Sequence, residues 1–463
     1  MTVHLTDSLI YRNSWGTPEL RALFDDVGRT RSWLEILATL AETQAEVGLI
    51  PVEAALYVAA TCRAIELDQT FFDEVRAGFE ATNHSTFGLI RAVQRRCPGD
   101  SGEWLYYGAT VQDITDTWTA QVLQQVRVIV ERDLTTIERV LLDLAEQHCD
   151  TVMAGRTHGQ IGLPITFGYK VAGWAMEVRR HRQRLAELTP RLNVGQLAGG
   201  VGSLSSLGQY ALDVQRRFLA KLGLQTPFIS WTTSRDTLAE WFNVLALIAA
   251  TGDRIGHEVY NLQRTEIGEV SEGFVKGTVG SITMPHKRNP EIAEHLGTLA
   301  RIIRHNASLV LESLVHDHER DGRSWKAEWA VLAETCLAAG KLLALLHTMI
   351  AHLEVHAERM QANLEATGGL ILSEAIMLAI AKHTGKQSAH TLVYETAMAS
   401  YTVGSNFKEA ILNNMQIRTY LSSDELEALF DYRRHIGQCT TMVERVLAEL
   451  RDTWERGEGG EHA

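Results

Sequence analysis

The segment Gly273–Pro290, GFVKGTVGSITMPHKRNP, gathers the residue types needed to take a proton from carbon. Glycines at 273, 277 and 280 precede Ser281, a composition that predicts a loop able to move. Lys287, Asn289 and Pro290 follow, and a long helical pattern comes next. Asn is a strong N-cap and Pro suits the first helical position, so a helix start is predicted here. Such a start presents unpaired N–H groups and partial positive charge, and Lys287 adds a full charge. This setting suits a carboxylate, and more so one that gains negative charge during a reaction. The chemistry it favours is proton abstraction from a carbon next to a carboxylate, through an aci-carboxylate intermediate. Ser281 is the candidate base. A serine hydroxyl is a weak base, so this requires exclusion of water and an alkoxide stabilised by N–H groups and Lys287. On the residues alone, a Gly-rich loop whose Lys and Asn merely cap a helix remains an alternative.

Long helices must hold such a loop. Apolar residues at steps of three to five, among them Val122, Val126, Ile129, Leu134, Ile137, Leu141 and Leu144, predict a helix over about Trp118–Gln147. Similar patterns predict helices over Ile165–Leu188, Thr237–Glu269, Pro290–Val315 and Ala327–His356. All five are far longer than the usual ~11–12 residues, and helices of that length bury their stripes against one another in a bundle. Shorter patterns precede them (Val27–Val47, Pro51–Ile65) and follow them, broken by Gly368-Gly369, Gly385 and Gly404. The expected organisation is all-α with three helical domains: 1–110, a central long-helix bundle over 111–356, and 357–463. The acidic tail from about Glu455 is expected to be frayed and solvated.

Composition limits the function. The net charge of −13 argues against a default nucleic-acid or anionic-membrane binder. None of the 8 prolines lies after Pro290, which favours helix in the last third of the chain. The N-terminal MTVHLTDSLIYRNSW lacks a basic-then-apolar pattern, so no secretory leader is expected. No uncharged apolar run reaches the ~18 residues of a membrane span. Five scattered cysteines without a C-x-x-C pair read as structural thiols of a reducing cytoplasm. No Cys or His pairs have zinc-ligand spacing.

GSITMPHKRNP resembles the G-S-S-x-M-P-x-K-x-N signature of the aspartase/fumarase superfamily, which includes argininosuccinate and adenylosuccinate lyases. Two further blocks match in order: GRTHGQIGLP (Gly155–Pro164) is similar to the family's G-R-T-H-x-Q block, and GATVQDITDT (Gly108–Thr117) to its G-A-T-S-Q-D block. The likeness extends over essentially the whole chain, to GLILSEAIMLAIAKHTGKQSAH near its end. The resemblance implies a homotetramer whose long helices form a twenty-helix core, with each active site drawn from three subunits. The implied reaction is β-elimination from a succinyl-type substrate, releasing fumarate. It makes Ser281 the base. Lys287 and Asn289 hold the carboxylate and aci-carboxylate, His158 with Thr157 serves as acid or proton relay for the leaving group, and Thr110 contacts a substrate carboxylate. Histidine can donate a proton near neutral pH, which suits His158 to this role. His84, in ATNHSTF, lies near where some members place a second histidine; a plain surface or capping role is the alternative. No metal or organic cofactor is implied, and the only partners implied are a small dicarboxylate and further copies of the chain, with no nucleic acid and no membrane.

Two departures and one branch narrow the choice. Ile282 and Val111 stand where the motifs carry serine, removing two hydroxyls. The adenylosuccinate lyase block H-E-R-D is present as His318–Asp321, but Lys326 and Trp329 stand where that family's phosphate-cradling Ser and Arg would be. A cradle whose arginine is tryptophan should bind a nucleotide phosphate poorly. HERDGRSWKAEW, SWTTSRD (Ser230–Asp236) and RHRQRLAELTPRL (residues 180–192) look instead like the 3-carboxy-cis,cis-muconate cycloisomerase branch. Bacterial cycloisomerases typically have tryptophan in place of the G-R-T-H histidine, whereas His158 is retained here. The leading expectation is a lyase cleaving a C–N bond in an N-substituted aspartate or other nitrogen-bearing succinate. The cycloisomerase is the alternative, and adenylosuccinate lyase is less favoured.

Overall fold

The computed structural model describes residues 3–273, 280–284, 286–403 and 406–455. Gly277, Pro285, Gly404 and the acidic tail beyond Glu455 lie outside them. Eighteen α-helices and a few short strands make up the described residues, so the all-α expectation holds. The five long helices are α1 (Val111–Gln147), α2 (Phe167–Leu192), α3 (Asp236–Leu262), α4 (Glu291–Glu312) and α5 (Gly322–Ala351). Strands β1 (Val152–Thr157) and β2 (Gln160–Thr166) form an antiparallel hairpin between α1 and α2. A second antiparallel pair joins β3 (Val270–Ser271), which follows α3, to β4 (Glu354–Val355), which follows α5.

The helix ends depart from the periodicity for physical reasons. Helix α1 starts seven residues before Trp118. Its first two turns bury Gln112, Asp113, Thr115, Asp116, Thr117 and Thr119, a polar interior that no apolar stripe announces. Helix α3 stops at Leu262, because the chain reverses through Gly268, whose φ is +63°. The Glu269 N–H then donates to the Leu262 carbonyl at 2.8 Å. Residues 263–269, expected as helix, instead deliver Glu269 to β3.

The chain packs as two compact units. The first comprises the chain up to Asp133, His181–Ala250 and Thr298–Ala344. Its interior holds a buried charge cluster. Arg235 donates to Asp116 of α1 at 2.9 and 3.1 Å and to Glu328 of α5 at 2.6 and 2.9 Å. The same guanidinium lies 4.9 Å from the Trp231 ring. The cluster ties α1 and α5 to the start of α3, and each member compensates the burial of the others. Trp329, one of the two departures from a phosphate cradle, meets Trp325 at 5.0 Å and Trp33 at 6.4 Å in an aromatic group.

The second unit comprises Leu134–Arg180, Thr251–Gly297 and the chain from Leu345. Arg179 of α2 forms a bidentate pair with the buried Glu138 of α1, at 2.6 and 2.9 Å. Leu372, Ile376, Ile380, Phe407, Ile411, Ile417 and Leu426 form an apolar cluster among the later, shorter helices. By length and composition α5 could cross a membrane, yet 61% of its most apolar stretch is buried inside the protein. The five cysteines are unpaired, and four of them are buried.

Replacing Arg235 with Leu leaves Asp116 and Glu328 buried without their cation. A loss of about 3–5 kcal/mol is expected, measured by chemical denaturation of wild type and variant.

Candidate active site

The β1–β2 hairpin carries Thr157 and His158. Thr157 pairs with Gln160, leaving His158 and Gly159 as a two-residue turn with φ of +52° and +75°. Two-residue hairpin turns commonly require positive φ at both positions, which Gly meets freely and His at a cost. His158 thus holds a left-handed conformation at a solvent-facing tip, at a cost of about 1–3 kcal/mol. Below the tip, β1 advances two residues and β2 three between the pairs Ala154–Pro164 and Arg156–Ile161. A Cβ at Gly155 would lie 2.8 Å from the Leu163 carbonyl, so this bulge needs glycine.

The hairpin is fixed at Arg156, whose guanidinium donates to both oxygens of Glu269 at 2.6 and 2.8 Å. Glu269 is fully buried and accepts a third bond from Asn363 at 2.8 Å. The hairpin base packs through Val152 and Ala154 on Leu364.

Ser281, Lys287 and Asn289 lie on one segment before α4. Ser281 Oγ accepts the Met284 N–H at 3.0 Å, and the Lys287 N–H donates to the Met284 carbonyl at 3.0 Å. The segment folds back on itself: a Cβ at Gly280 would sit 2.7 Å from the Lys287 carbonyl oxygen. Lys287 is exposed, and Asn289 Nδ2 donates to Glu291 at 3.3 Å. Among the described residues, no hydrogen bond joins this segment to Thr157 or His158.

One expectation is corrected. Asn289 does not cap the helix and Pro290 is not its first residue, because α4 begins at Glu291. Two of its first N–H groups are not open to a ligand either. The Glu272 carboxylate accepts the Ile292 and Ala293 N–H groups at 3.1 and 2.7 Å. Burial raises the Glu272 carboxyl above its ordinary range; these two bonds oppose the shift, and nearby Glu291 and Glu294 add to it. A capping carboxylate 19 residues before the helix start is invisible to local capping rules, which look only three or four residues back.

Thr110 is in the first unit. Its N–H donates to Asp113 at 2.8 Å, and its hydroxyl accepts from Arg320 Nη1 at 3.1 Å. Asp113 is buried and also accepts the Ala198 and Gly199 N–H groups, the former at 2.7 Å. Burial pushes its carboxyl up to about 6 against these three bonds. Arg320 Nε and Nη2 are buried without a hydrogen-bond partner. A planar fork with two unsatisfied donors can take a carboxylate in bidentate fashion. Arg320 went unassigned in the sequence although it stands inside the H-E-R-D block. Its neighbour His318 is another of the few non-glycine residues at positive φ, at +55°.

Of the departures, Ile282 is 95% exposed and Val111 is half-buried at the first position of α1. His84 is exposed, with its ring edge-on to Phe87 at 6.3 Å.

Comparisons with known proteins give the family. Residues 12–304 match the family model described as "Lyase", and residues 369–446 match "Adenylosuccinate lyase C-terminus". The chain belongs to the aspartase/fumarase superfamily of lyases, on its 3-carboxy-cis,cis-muconate cycloisomerase-like branch. It is 39% identical to the N-acetyl-S-(2-succino)cysteine lyase of Dickeya dadantii, covering 96% of this chain and 98% of that one. It is 37% identical to the adenylosuccinate lyase of Methanocaldococcus jannaschii (98% and 97%), and 37% to the 3-carboxy-cis,cis-muconate cycloisomerase of Pseudomonas aeruginosa (93% and 94%). The 3-carboxy-cis,cis-muconate lactonizing enzyme of Pseudomonas putida superposes with a TM-score of 0.90 at 32% identity, covering 96% of this chain and 99% of that one. The protein is an enzyme of this superfamily.

Asp113 gives a pH signature. Its folded pKa is raised, so the folded state binds the proton more tightly than the unfolded chain does. Its contribution to stability therefore grows as pH falls from about 6 towards the ordinary aspartate value of 3.8 and is flat above that window. Asp113→Asn removes this titration. The stability of wild type minus that of the variant should increase by about 2 kcal/mol between pH 7.5 and pH 4.5, followed by denaturant titration at each pH. A pH-independent difference would contradict the buried, protonatable carboxyl.

Proposed function

We propose that the chain catalyses β-elimination from a succinate bearing a heteroatom substituent, releasing fumarate. Ser281 removes a proton from the carbon next to the one that bears the substituent. The C–H electron pair passes onto the adjacent carboxylate as an aci-carboxylate, which Lys287 and Asn289 hold. The pair then returns to form the double bond as the heteroatom leaves, protonated by way of His158 beside Thr157. Thr110 contacts a substrate carboxylate, with Arg320 bonded to its hydroxyl. In this reading the chain acts as a homotetramer, the long helices of segment 111–356 forming the shared core and segments 1–110 and 357–463 flanking it. Each site draws on three subunits.

Support comes above all from Ser281 Oγ, which accepts the Met284 N–H at 3.0 Å. A donor already aimed at that oxygen stabilises the alkoxide that a serine base must become. The departing atom is nitrogen in the leading reading. A second reading, sulfur, is favoured by the relatives from Dickeya dadantii and Enterococcus italicus, whose named substrate carries its succinyl group on sulfur. Retention of His158 speaks for elimination over the cycloisomerase reaction, because a departing amine or thiol takes up a proton on its heteroatom, whereas in ring closure the proton goes to carbon and the carboxylate oxygen needs none. Trp329 within an aromatic group, in place of a phosphate-binding arginine, disfavours adenylosuccinate.

Purified protein mixed with fumarate and a panel of amines and thiols should consume the double-bond absorbance with one class and not the other. Turnover of carboxymuconate without any fumarate chemistry would overturn the elimination. Ser281→Ala should lower kcat by about 10²–10⁴-fold while substrate binding, followed calorimetrically, persists; a wild-type rate would remove Ser281 as base.

A further inference from the structure

Glu272 lies outside every motif, yet it occupies a position that chemistry reserves for a ligand. Its two carboxylate oxygens accept the Ile292 and Ala293 N–H groups of α4, at 3.1 and 2.7 Å. Two charge-assisted bonds at the positive end of a 22-residue helix are what an incoming anion would otherwise make there. An anion approaching that end would find these two N–H groups already taken.

Glu272 is itself held from three sides. Its N–H donates to Gln263 Oε1 at 2.8 Å, and Gln263 Nε2 reaches the Arg288 carbonyl at 3.5 Å. One amide thus bridges Glu272 to the residue between Lys287 and Asn289. Before it, Val270 and Ser271 pair with Val355 and Glu354, and Ser271 Oγ donates to the Glu354 carboxylate at 2.9 Å. After it, Gly273 lies so close to the backbone that a Cβ would sit 2.1 Å from the His352 carbonyl oxygen. Residue 272 is fixed by this frame, and its carboxylate carries the frame's position to the start of α4.

We infer that Glu272 is a positioning residue: an internal carboxylate that fills the N-terminus of α4 and, with Gln263, sets where Lys287 and Asn289 stand. The inference rests on the elimination reading for those two residues. It assigns recognition of the substrate's carboxylate to their side chains and denies it to the helix end. Without Glu272 the helix end becomes an open anion site. It then accepts a small carboxylate from solution, and the Lys287–Asn289 segment loses its reference point.

The test uses the full-length protein with Glu272→Ala and Glu272→Gln, and formate as the probe. Glu272→Ala should lower kcat/KM at least tenfold, with several-fold recovery on adding formate, and Glu272→Gln should lose several-fold. Wild type should not respond to formate in this way. Wild-type kinetics in either folded variant, or a loss in Glu272→Ala that formate leaves unchanged, would overturn the inference. A second readout needs no substrate. The melting temperature of Glu272→Ala should rise saturably with formate while that of wild type does not, and equal responses would overturn the internal cap. A protein inert towards every substrate, whose Glu272→Ala variant still gains stability from formate, would refute the elimination and leave the cap standing. If Glu272→Ala does not fold, Glu272→Gln decides through its kinetics.

Discussion

The second unit depends on the pair between Arg156 and Glu269. A carboxylate with no solvent exposure loses its hydration entirely, and only three well-aimed donors make that burial tolerable: both arms of Arg156 and the amide of Asn363. Because each partner is costly to leave alone, the pair tolerates little displacement. Arg156 is two residues from His158 along a strand whose bulge and turn have each used glycine or positive φ to reach their shape. The position of the imidazole is therefore inherited from a buried ion pair.

Two acidic residues three apart then divide the work. Glu269 satisfies a cation and holds the hairpin; Glu272 satisfies two backbone N–H groups and holds the start of α4. The segment between them is extended and pairs with β4, and the Glu269 carbonyl accepts the His356 N–H at 3.0 Å. The end of α3 matters for this reason. Had the helix continued to Glu269, as its periodicity suggests, Glu269 would lie on the helix instead of leading into the strand that pairs with β4. The reversal at Gly268 places the acids on either side of β3 instead.

What the sequence makes legible follows from the range of each interaction. The apolar stripes of α1 to α5 are local and repeated, so the all-α architecture and five long helices could be read directly. The superfamily blocks are contiguous, so Ser281, Lys287, Asn289, Thr157 and His158 could be named from adjacent letters. Three kinds of information escaped. The polar first turns of α1 are buried by partners such as Arg235, 119 residues from Asp116, and local hydropathy cannot register them. The β1–β2 hairpin follows a long helical pattern and its turn places His, not Asn or Asp, before Gly, so the usual hairpin signal is muted. Glu272 caps from outside the three-to-four-residue span in which caps are sought, and Asn289 and Pro290 supplied a plausible but mistaken local cap.

A chain of net charge −13 would still have to receive the dicarboxylate of the proposed reaction. The surplus negative charge matters little at contact distances, since exposed charges are screened beyond about 8–10 Å. What counts is which acids near the candidate residues have already been neutralised. Glu269 is paired with Arg156 and Glu272 with a helix end, while Asp116 and Glu328 share the single cation Arg235, and burial raises both of those carboxyls. Lys287 remains exposed, and two N–H groups of Arg320 remain unmatched. Glu269 in the second unit and Asp116 with Glu328 in the first thus have internal partners, and Lys287 and Arg320 each keep donors that the proposed reaction would use on carboxylates.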